Sequence, residues 1–317
     1  MLTYIVKRLV YATPVAIGVS VVCFLLVHIA PGDPLTAILP ADATRELADQ
    51  MRAAYGFDQP LVVQYGLWLW KILHGDLGHS IATGRPVISE VGRAVGNTLI
   101  LATAATLIGF TLGTLFGFVA GYAHGSWLDK LASTLAVVGV SVPHYWLGMV
   151  MVIVFSAQLG WLPPTGAGPQ GSEAWRPDPE HLRYIILPAL TLSVIPMGVI
   201  SRTVRALVAE MLTQEFVQAL RAKGLSEIAV FRHVVVNSAP TALSVMGLQL
   251  GYLLGGSILI ETVFSWPGTG FLLNSAIFQR DLPLLQGTIL VLAMFFVVLN
   301  LAVDVLQTAL DPRIERS

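Results

Sequence analysis

Three side chains that commonly bind metal ions, His74, Asp76 and His79, lie close together in the segment HGDLGHS. Imidazole and carboxylate groups are ordinary zinc ligands, but zinc sites take several of them at a regular spacing. Here glycines interrupt the spacing, and no further clear ligand follows in a usual pattern. We interpret the segment as an exposed turn, and the sequence predicts no metal site.

The motifs of nucleotide and hydrolytic chemistry are missing from the sequence. It contains no GxxxxGK[ST], no HExxH and no GxSxG, which mark P-loop nucleotide sites, zinc proteases and serine hydrolases. Its one cysteine, Cys23, lies in an apolar run and can form neither an intrachain disulfide nor a CxxC metal site. We expect Cys23 to be a buried hydrophobic residue, and we expect no residue to be catalytic.

Two polar residues, Asn300 and Asp304, lie one helical turn apart within a long apolar run. An isolated carboxylate in such surroundings is costly and needs a partner. Arg202 or Arg205, at the end of an earlier apolar segment, is the expected partner. We interpret Asp304 as one half of a structural ion pair, with a solute or proton site as the alternative.

Charged residues are scarce in this chain: they make up 12% of its 317 residues, while 55% are hydrophobic and the mean hydropathy is +0.73. A soluble domain averages about 25% charged residues, so the composition indicates a lipid environment. The formal net charge of −1 leaves no electrostatic footprint for nucleic acid.

Long apolar segments predict an all-α, polytopic membrane protein. A membrane helix needs about 20 consecutive apolar residues. The first candidate is too long for a signal peptide and lacks a small-residue cleavage site, so we expect it to be retained. The fourth is short and contains Pro188 and Pro196, which remove backbone donors. Six segments are predicted to span the membrane, and they cover residues 9–29, 98–122, 131–159, 184–200, 239–260 and 282–310.

The distribution of Lys and Arg predicts the orientation, because cytoplasmic loops carry an excess of these residues. With the N-terminus inside, ten of them are cytoplasmic, three lie in short outer loops, and five lie in a long outer loop that counts weakly in this rule. Both termini are therefore predicted to be cytoplasmic. The ten are Lys7, Arg8, Lys130, Arg202, Arg205, Arg221, Lys223, Arg232, Arg313 and Arg316.

The long outer loop, residues 31–96, contains two predicted short helices, at 44–56 and 59–75. Trp68 and Trp70 in the second suit a membrane interface. Two interpretations stay open for this loop: an interfacial lid that seals the helices, and an outer platform for a soluble partner. The predicted domains are accordingly residues 1–30, 31–96 and a core of 97–317 that includes a cytoplasmic region at 202–238.

Glycines recur at every fourth position in two of the predicted spans. This spacing places each set on one helical face, where the missing Cβ lets another backbone approach closely. We expect tight helix packing, and faces that slide or leave room for a solute are a compatible alternative. The sets are Gly109, Gly113, Gly117 and Gly121 in the second span, and Gly247, Gly251 and Gly255 in the fifth.

A polar stretch, residues 217–235, separates the fourth and fifth spans. We expect the helix of the fourth span to continue from about 202 to 223 and to end at Gly224, because glycine accepts the left-handed conformation at this position. Ser226 is predicted to cap a short second helix, with Glu227 in its first turn. Leu225 and Val230 would form a hydrophobic staple at that cap.

Three apolar side chains are predicted to project from that second helix into the cytosol. An amphipathic helix held in this way docks into a groove of a partner protein or lies on the lipid surface. Few cations accompany it, which favours the protein partner. The three residues are Ile228, Phe231 and Val235.

The layout resembles the permease subunits of bacterial ATP-binding-cassette importers, whose motif EAA–x3–G–x9–I–x–L–P lies between their fourth and fifth helices. With the motif glycine placed on Gly224, the EAA positions fall on Gln218, Ala219 and Leu220, and the final proline position falls on Asn237. The acid and the proline are therefore missing. The match is closer to the peptide and nickel permeases, which are similar along the whole chain in YIVKRL, VHIAPGDP, GFDQPLVVQY, HGDLGHS, GSWLDKL, SVPHYWLG, LGWLPPTG, VQALRAKGLS, MGLQLGYLLGGSILIETVFSWPGTG and LNLAVDVLQTALDPRIERS.

The resemblance implies the type I importer permease fold, in the inner membrane, with a coupling helix between helices 4 and 5. It implies a second, similar permease subunit, two ATPase subunits that bind ATP and Mg²⁺, and an extracytoplasmic binding protein that docks partly on the long loop. No cofactor is expected on this chain. The residues that it assigns to ATPase coupling are Gln218, Ala219, Arg221, Ala222, Lys223, Gly224, Leu225, Ser226, Glu227 and Phe231.

Import of dipeptides or oligopeptides is the function that this resemblance favours. Import of a nickel chelate or of glutathione by the same architecture is the alternative within the family. An ion-coupled carrier that works alone is an alternative from another class, although few charged residues lie in the predicted spans. A membrane scaffold or sensor is the third alternative.

Overall fold

A computed structural model describes residues 2–29, 44, 46 and 58–310. Helices account for most of this part of the chain, and the described residues contain no strand beyond an isolated bridge between His79 and Pro86. The helices are α1 (Leu2–Ile29), α2 (Leu61–Leu73), α3 (Val87–Tyr122), α4 (Trp127–Ser141), α5 (His144–Met151), α6 (Pro179–Thr213), α7 (Glu215–Ala222), α8 (Glu227–Val263), α9 (Thr269–Gln279) and α10 (Leu282–Leu310).

The chain divides into two compact units. The first consists of Met1–Gly96 and Gly268–Leu301, and the second of Asn97–Pro267 and Ala302–Ser317. The division into domains at residues 30 and 96 stays a prediction, and the first unit also takes in α9 and most of α10. The predicted outer helix at 44–56 lies outside the described residues apart from Thr44 and Glu46.

Four described helices are long and apolar enough to cross a membrane: Val87–Tyr122, Pro179–Thr213, Glu227–Leu253 and Leu282–Ala302. A fifth candidate is the pair Trp127–Ser141 and His144–Gln158, which is bent by 100°. The segment predicted as one span, 131–159, is therefore a broken helix pair and not one continuous helix. The reason is local: Pro143 has no N–H and forces Val142 into an extended conformation (φ −78, ψ 128).

Helix α6 is the most enclosed of the candidate spans, with 61% of its apolar window buried. It covers 35 residues, far more than the predicted 184–200. It begins at Asp178, whose side chain accepts hydrogen bonds from the backbone N–H groups of Glu180 and His181. Pro188 and Pro196 are both buried within it and do not end it, because packing on several sides stabilises the helix around them.

The four glycines that recur at every fourth position of α3 lie directly against α6, in the second unit. A Cβ added at Gly113 would lie 2.8 Å from the carbonyl oxygen of Met197, and one at Gly117 would lie 2.7 Å from the Cβ of Val204. Real Cβ atoms do not approach this closely, so only glycine permits the observed contact of the two helices. The set consists of Gly109, Gly113, Gly117 and Gly121.

Another face of α6 makes close glycine contacts of the same kind with α4. The sequence did not predict these contacts. A Cβ at Gly198 would lie 2.7 Å from the carbonyl oxygen of Ala136, and one at Gly139 would lie 2.9 Å from Val194. The glycines predicted in the fifth span behave differently. Gly255 is exposed, and a Cβ added there would meet no atom within 4 Å, while Gly247 and Gly251 are half-buried.

Candidate functional site

The polar stretch after α6 forms a separate short helix, α7. The expectation of one helix from 202 to 223 is wrong, because Gln214 is extended (φ −68, ψ 147) and interrupts it. No glycine or proline causes this break. It turns the chain so that Val217 becomes completely buried next to Val208, and this burial is the physical reason for the turn.

Helix α7 has one buried and one exposed face. Val217 is fully buried, and Phe216 and Leu220 pack beside it. The opposite face carries small and polar side chains, and we call it the α7 surface. It consists of Gln218, Ala219, Arg221 and Ala222, which are all exposed, as is the following Lys223.

A left-handed glycine ends α7. Gly224 has φ +77, and the backbone N–H of Leu225 donates to the carbonyl of Leu220 at 3.2 Å while that of Lys223 donates to Ala219 at 3.1 Å. These bonds satisfy carbonyls at the end of the helix. The predicted helix stop at Gly224 is confirmed.

Ser226 begins the next helix, as predicted. Its side chain accepts a hydrogen bond from the backbone N–H of Ala229, at 3.4 Å. Next to this cap, the Arg221 guanidinium donates from Nε and Nη2 to the two carboxylate oxygens of Glu227, at 2.9 and 3.0 Å. The bond to Glu227 raises the pKa of Arg221 above its usual value. The bidentate pair fixes the angle at which α7 meets α8.

The second helix is not short, which corrects the prediction. It is the start of α8, which runs without a break from Glu227 to Val263. Of the three predicted projections, Ile228 is 82% exposed. Phe231 is partly covered by Phe118 and Tyr122 of α3, at ring-centroid distances of 5.6 and 5.5 Å, and Val235 is half-buried.

One aliphatic cluster joins α6, α7 and α8 beneath the α7 surface. Six of its members are at most 1% exposed, and five of them are valines. β-Branched side chains are stiff at χ1, and close-packed interiors transmit displacement. A movement of α7 therefore has to move α6 and α8. The six are Ile200, Val204, Val208, Val217, Val230 and Val234.

The family-motif positions divide between these surfaces. Ala219 is exposed, Leu220 is half-buried, and Val234 lies inside the aliphatic cluster. Asn237, at the position of the missing proline, is exposed, and its Nδ2 donates to the carbonyl of His233 at 2.8 Å. A proline at this position would lack that side-chain bond.

Arg205 of α6 binds Asp129 at the start of α4. Its Nη2 donates to Oδ2 at 2.8 Å, and its Nε donates to Oδ1. Asp129 is 3% exposed and also accepts from the backbone N–H of Gly125 (2.9 Å) and the hydroxyl of Ser133 (3.2 Å). Arg205, one of the two residues expected to pair with Asp304, binds Asp129 in this structure. Asp129 occurs in the quoted segment GSWLDKL, but its link to α6 depends on tertiary packing.

Two other members of that predicted polar group have described side chains. Arg202 and Asn300 are exposed. The side chain of Asp304 lies outside the described side chains, so its pairing stays a prediction.

Glu261, near the other end of α8, is buried, although a position at the outer end of an apolar segment favours contact with water. It is fully buried, and the hydroxyl of Thr98 donates to its Oε1 at 2.8 Å. Close by, the indole N–H of the buried Trp266 donates to the carbonyl of Asn97 at 3.1 Å. The Asn97 amide in turn donates to the carbonyl of Pro267 at 2.8 Å. This network fixes the segment after α8.

The segment HGDLGHS has exposed side chains at His74, Asp76 and His79. The following Ser80 is buried instead and donates to Asp281 at 2.5 Å. Within the part of the chain that the structure describes, no group of three or more potential ligands could hold a metal ion.

Two protein-family models match the sequence. The model described as the binding-protein-dependent transport system inner membrane component matches residues 113–316. The model of the N-terminal part of such membrane components matches residues 1–102. Together they cover both compact units.

Curated relatives match over nearly the whole chain. A peptide transport system permease protein of Brucella abortus is 40% identical over 317 residues, covering 99% of each chain. The dipeptide transport system permease protein DppB of Alkalihalophilus pseudofirmus is 35% identical over 336 residues, covering 99% of this chain and 100% of the relative. The glutathione transport system permease protein GsiC of Escherichia coli is 38% identical over 315 residues, covering 99% of each.

A solved structure has a similar fold. An inward-facing conformation of the MetNI methionine ABC transporter gives a TM-score of 0.55 at 17% sequence identity, covering 70% of this chain and 96% of that chain. At this identity the likeness concerns the fold.

Proposed function

The chain belongs to the family of binding-protein-dependent transport system inner membrane components, and on this premise we propose that it is a permease subunit of an ATP-binding-cassette importer of peptides. The names of the Brucella abortus and Alkalihalophilus pseudofirmus relatives support a peptide cargo. The glutathione relative is 38% identical, and glutathione is itself a small peptide-like molecule. Glutathione import is therefore the second candidate.

The α7 surface is the proposed contact with a partner ATPase. Gln218, Ala219, Arg221 and Ala222 are exposed on one face, within the stretch from Gln218 to Gly224 that aligns with the family motif. Two alanines leave that face shallow, so a groove of a partner could enclose the short helix closely. The single observation that carries the proposal is that α7 is exposed on this face and buried on the opposite face.

The aliphatic cluster is the proposed path of the movement. ATP and Mg²⁺ are bound by the partner ATPases and not by this chain. When the ATPases close, they displace α7, and the buried Val217 transfers that displacement to α6 and α8 through Val208 and Val230. The Arg221–Glu227 pair keeps α7 and α8 at one angle while they move.

Six spans with both termini in the cytoplasm complete the proposal. Two permease subunits together enclose the pathway, and α1 supplies a span beyond the five candidates among the described helices. The excess of Lys and Arg on the α7 side supports the orientation. A binding protein then delivers cargo at the opposite face.

A charge introduced on the α7 surface tests the proposal. Ala222→Arg is expected to abolish the stimulation of ATPase activity by the loaded binding protein, and to abolish uptake, in proteoliposomes that contain the whole transporter. Ala174→Arg is the matched control, because Ala174 is an exposed alanine outside both the α7 surface and the long outer loop. Full uptake by the Ala222→Arg variant would refute the role of this surface. Uptake that stops at once when the proton gradient is collapsed at constant ATP would instead support an ion-coupled carrier.

A further inference from the structure

Helix α2 is apolar on nearly all sides. Between Leu61 and Trp70 its only residue with an amide side chain is Gln64, and the first charge is Lys71. No residue of α2 is buried, and Val62 and Trp70 are 81% and 64% exposed. Helices that lie on the membrane surface have a strongly polar face, which α2 lacks. Exposure of α2 to water is therefore unfavourable.

One side of α2 packs on α1, within the first compact unit. Phe24 of α1 contacts the rings of Tyr65 and Trp68 at centroid distances of 5.5 and 5.7 Å. The Ser20 hydroxyl donates to the carbonyl of Ile17 at 2.7 Å, so the Tyr65 hydroxyl is the donor in its 2.7 Å bond with Ser20. The contact is specific and fixes α2 at one height on α1.

That height lies within the apolar lengths of both α1 and α10. Ser20 is nine residues before the end of α1 at Ile29, or about 13 Å along the axis. At nearly the same height, Gln286 of α10 donates to the carbonyl of Cys23 at 3.2 Å. Gln286 is four residues inside α10, about 6 Å from its first residue. The contact between α2 and α1 therefore lies deeper along the helix axes than the first residue of α10.

The length of α2 excludes a span. Its 13 residues extend about 20 Å, whereas the hydrocarbon core is about 30 Å thick. Turn bonds satisfy part of the backbone at both ends, because Val63 N–H donates to Pro60, and the N–H groups of His74 and Asp76 both donate to Lys71. This lowers the cost of placing those ends in lipid.

We propose that α2 is embedded in the acyl chains of one membrane leaflet, beside α1, and that its exposed face binds lipid rather than a protein or water. The exposed side chains of α2 continue the apolar surface of α1 around Phe24, where Val21 and Leu25 are also exposed. The embedding rests on the proposed function only through the family membership of the chain. If α2 lies in lipid, it is not part of a platform for the binding protein.

Spin-label accessibility tests the embedding. The only cysteine, Cys23, is replaced by serine, and single nitroxides are placed at Val62 or Leu67 in the complete transporter, with partner cysteines removed, in phosphatidylcholine nanodiscs. Val15 on the exposed face of α1 and Ile81 in the loop after α2 serve as lipid and water controls. We expect oxygen accessibility at both α2 positions to exceed that of a nickel chelate several-fold, as at Val15, with the opposite order at Ile81.

Two spin-label results would overturn the embedding. Greater accessibility to nickel than to oxygen would place α2 in water, and an immobilised label shielded from both reagents would mean that a protein covers it. Fluorescence gives a second measurement in case a label disturbs the helix. Brominated phosphatidylcholine should quench the unlabelled transporter more than its Trp70→Phe variant, and equal quenching would contradict the proposal.

Discussion

Arg221 and Glu227 join α7 to α8 across the turn at Gly224, through hydrogen bonds of 2.9 and 3.0 Å. Both side chains are largely exposed, so the pair adds little to stability. Its geometric effect is larger, because a planar guanidinium that binds both carboxylate oxygens restrains the direction of α7.

Breaking this pair should weaken the coupling between ATP hydrolysis and transport without unfolding the protein. Arg221→Glu is expected to lower the peptide-stimulated ATPase rate of the assembled transporter while its thermal unfolding midpoint stays nearly constant. The charge-swapped double variant Arg221→Glu, Glu227→Arg should recover part of the rate, because the pair can form again. A double variant as impaired as the single one would show that Arg221 acts by contacting the partner instead.

Gly224 should tolerate asparagine far better than leucine. An added Cβ would meet no atom within 4 Å, so the effect of substitution comes from the positive φ alone. A left-handed conformation costs an ordinary residue about 1–2 kcal/mol, and asparagine less. Gly224→Leu should therefore insert in the membrane but lose uptake, while Gly224→Asn keeps most of it. Equal uptake in radiolabelled-peptide assays of both variants would show that this turn does not control coupling.

Gly117 should not accept even a methyl group. The Cβ of alanine would lie 2.7 Å from that of Val204, and overpacking of a close contact costs about 1–3 kcal/mol. Gly117→Ala is expected to lower the unfolding midpoint of the purified transporter. Gly255→Ala is the matched control, because that position faces open space, and its midpoint should not fall. A stable Gly117→Ala variant would mean that α3 and α6 can separate at little cost.

The Arg205–Asp129 pair should be a structural link between α6 and α4. Asp129 is almost completely buried and has several donors around it. Loss of one partner of a buried, charged hydrogen bond costs about 1–3 kcal/mol. Arg205→Ala and Asp129→Ala should each lower the unfolding midpoint, and the double variant should be less impaired than the sum of the two. Additive losses in this double-mutant cycle would refute a direct interaction.

Local signals in the sequence predicted local structure well. The stop at Gly224 and the cap at Ser226 depend on backbone conformation within a few residues, and both are present. The break at Pro143 also had a local signal, but a hydropathy window averages over a single proline. Such a window therefore predicts one uninterrupted span at 131–159.

Long-range packing accounts for the contacts that the sequence does not predict. Gln214 interrupts the expected helix because Val217 reaches a cluster formed by α6 and α8, and nothing near Gln214 signals it. Glu261 is paired with Thr98, 163 positions earlier. Arg205 binds Asp129, 76 positions earlier. In each case the chain contains the residues, but only the folded helices decide which of them meet.

Photo-crosslinking from the α7 surface tests the central claim most directly. A photoreactive phenylalanine derivative placed at Ala219 in the assembled transporter should form a product with an ATPase subunit, identified by mass spectrometry, and the yield should change when ATP is added. The same derivative at Ala82 should give no such product. Absence of the ATPase product at Ala219, in a complex that still transports peptide, would contradict the assignment of α7 as the site where this permease is driven.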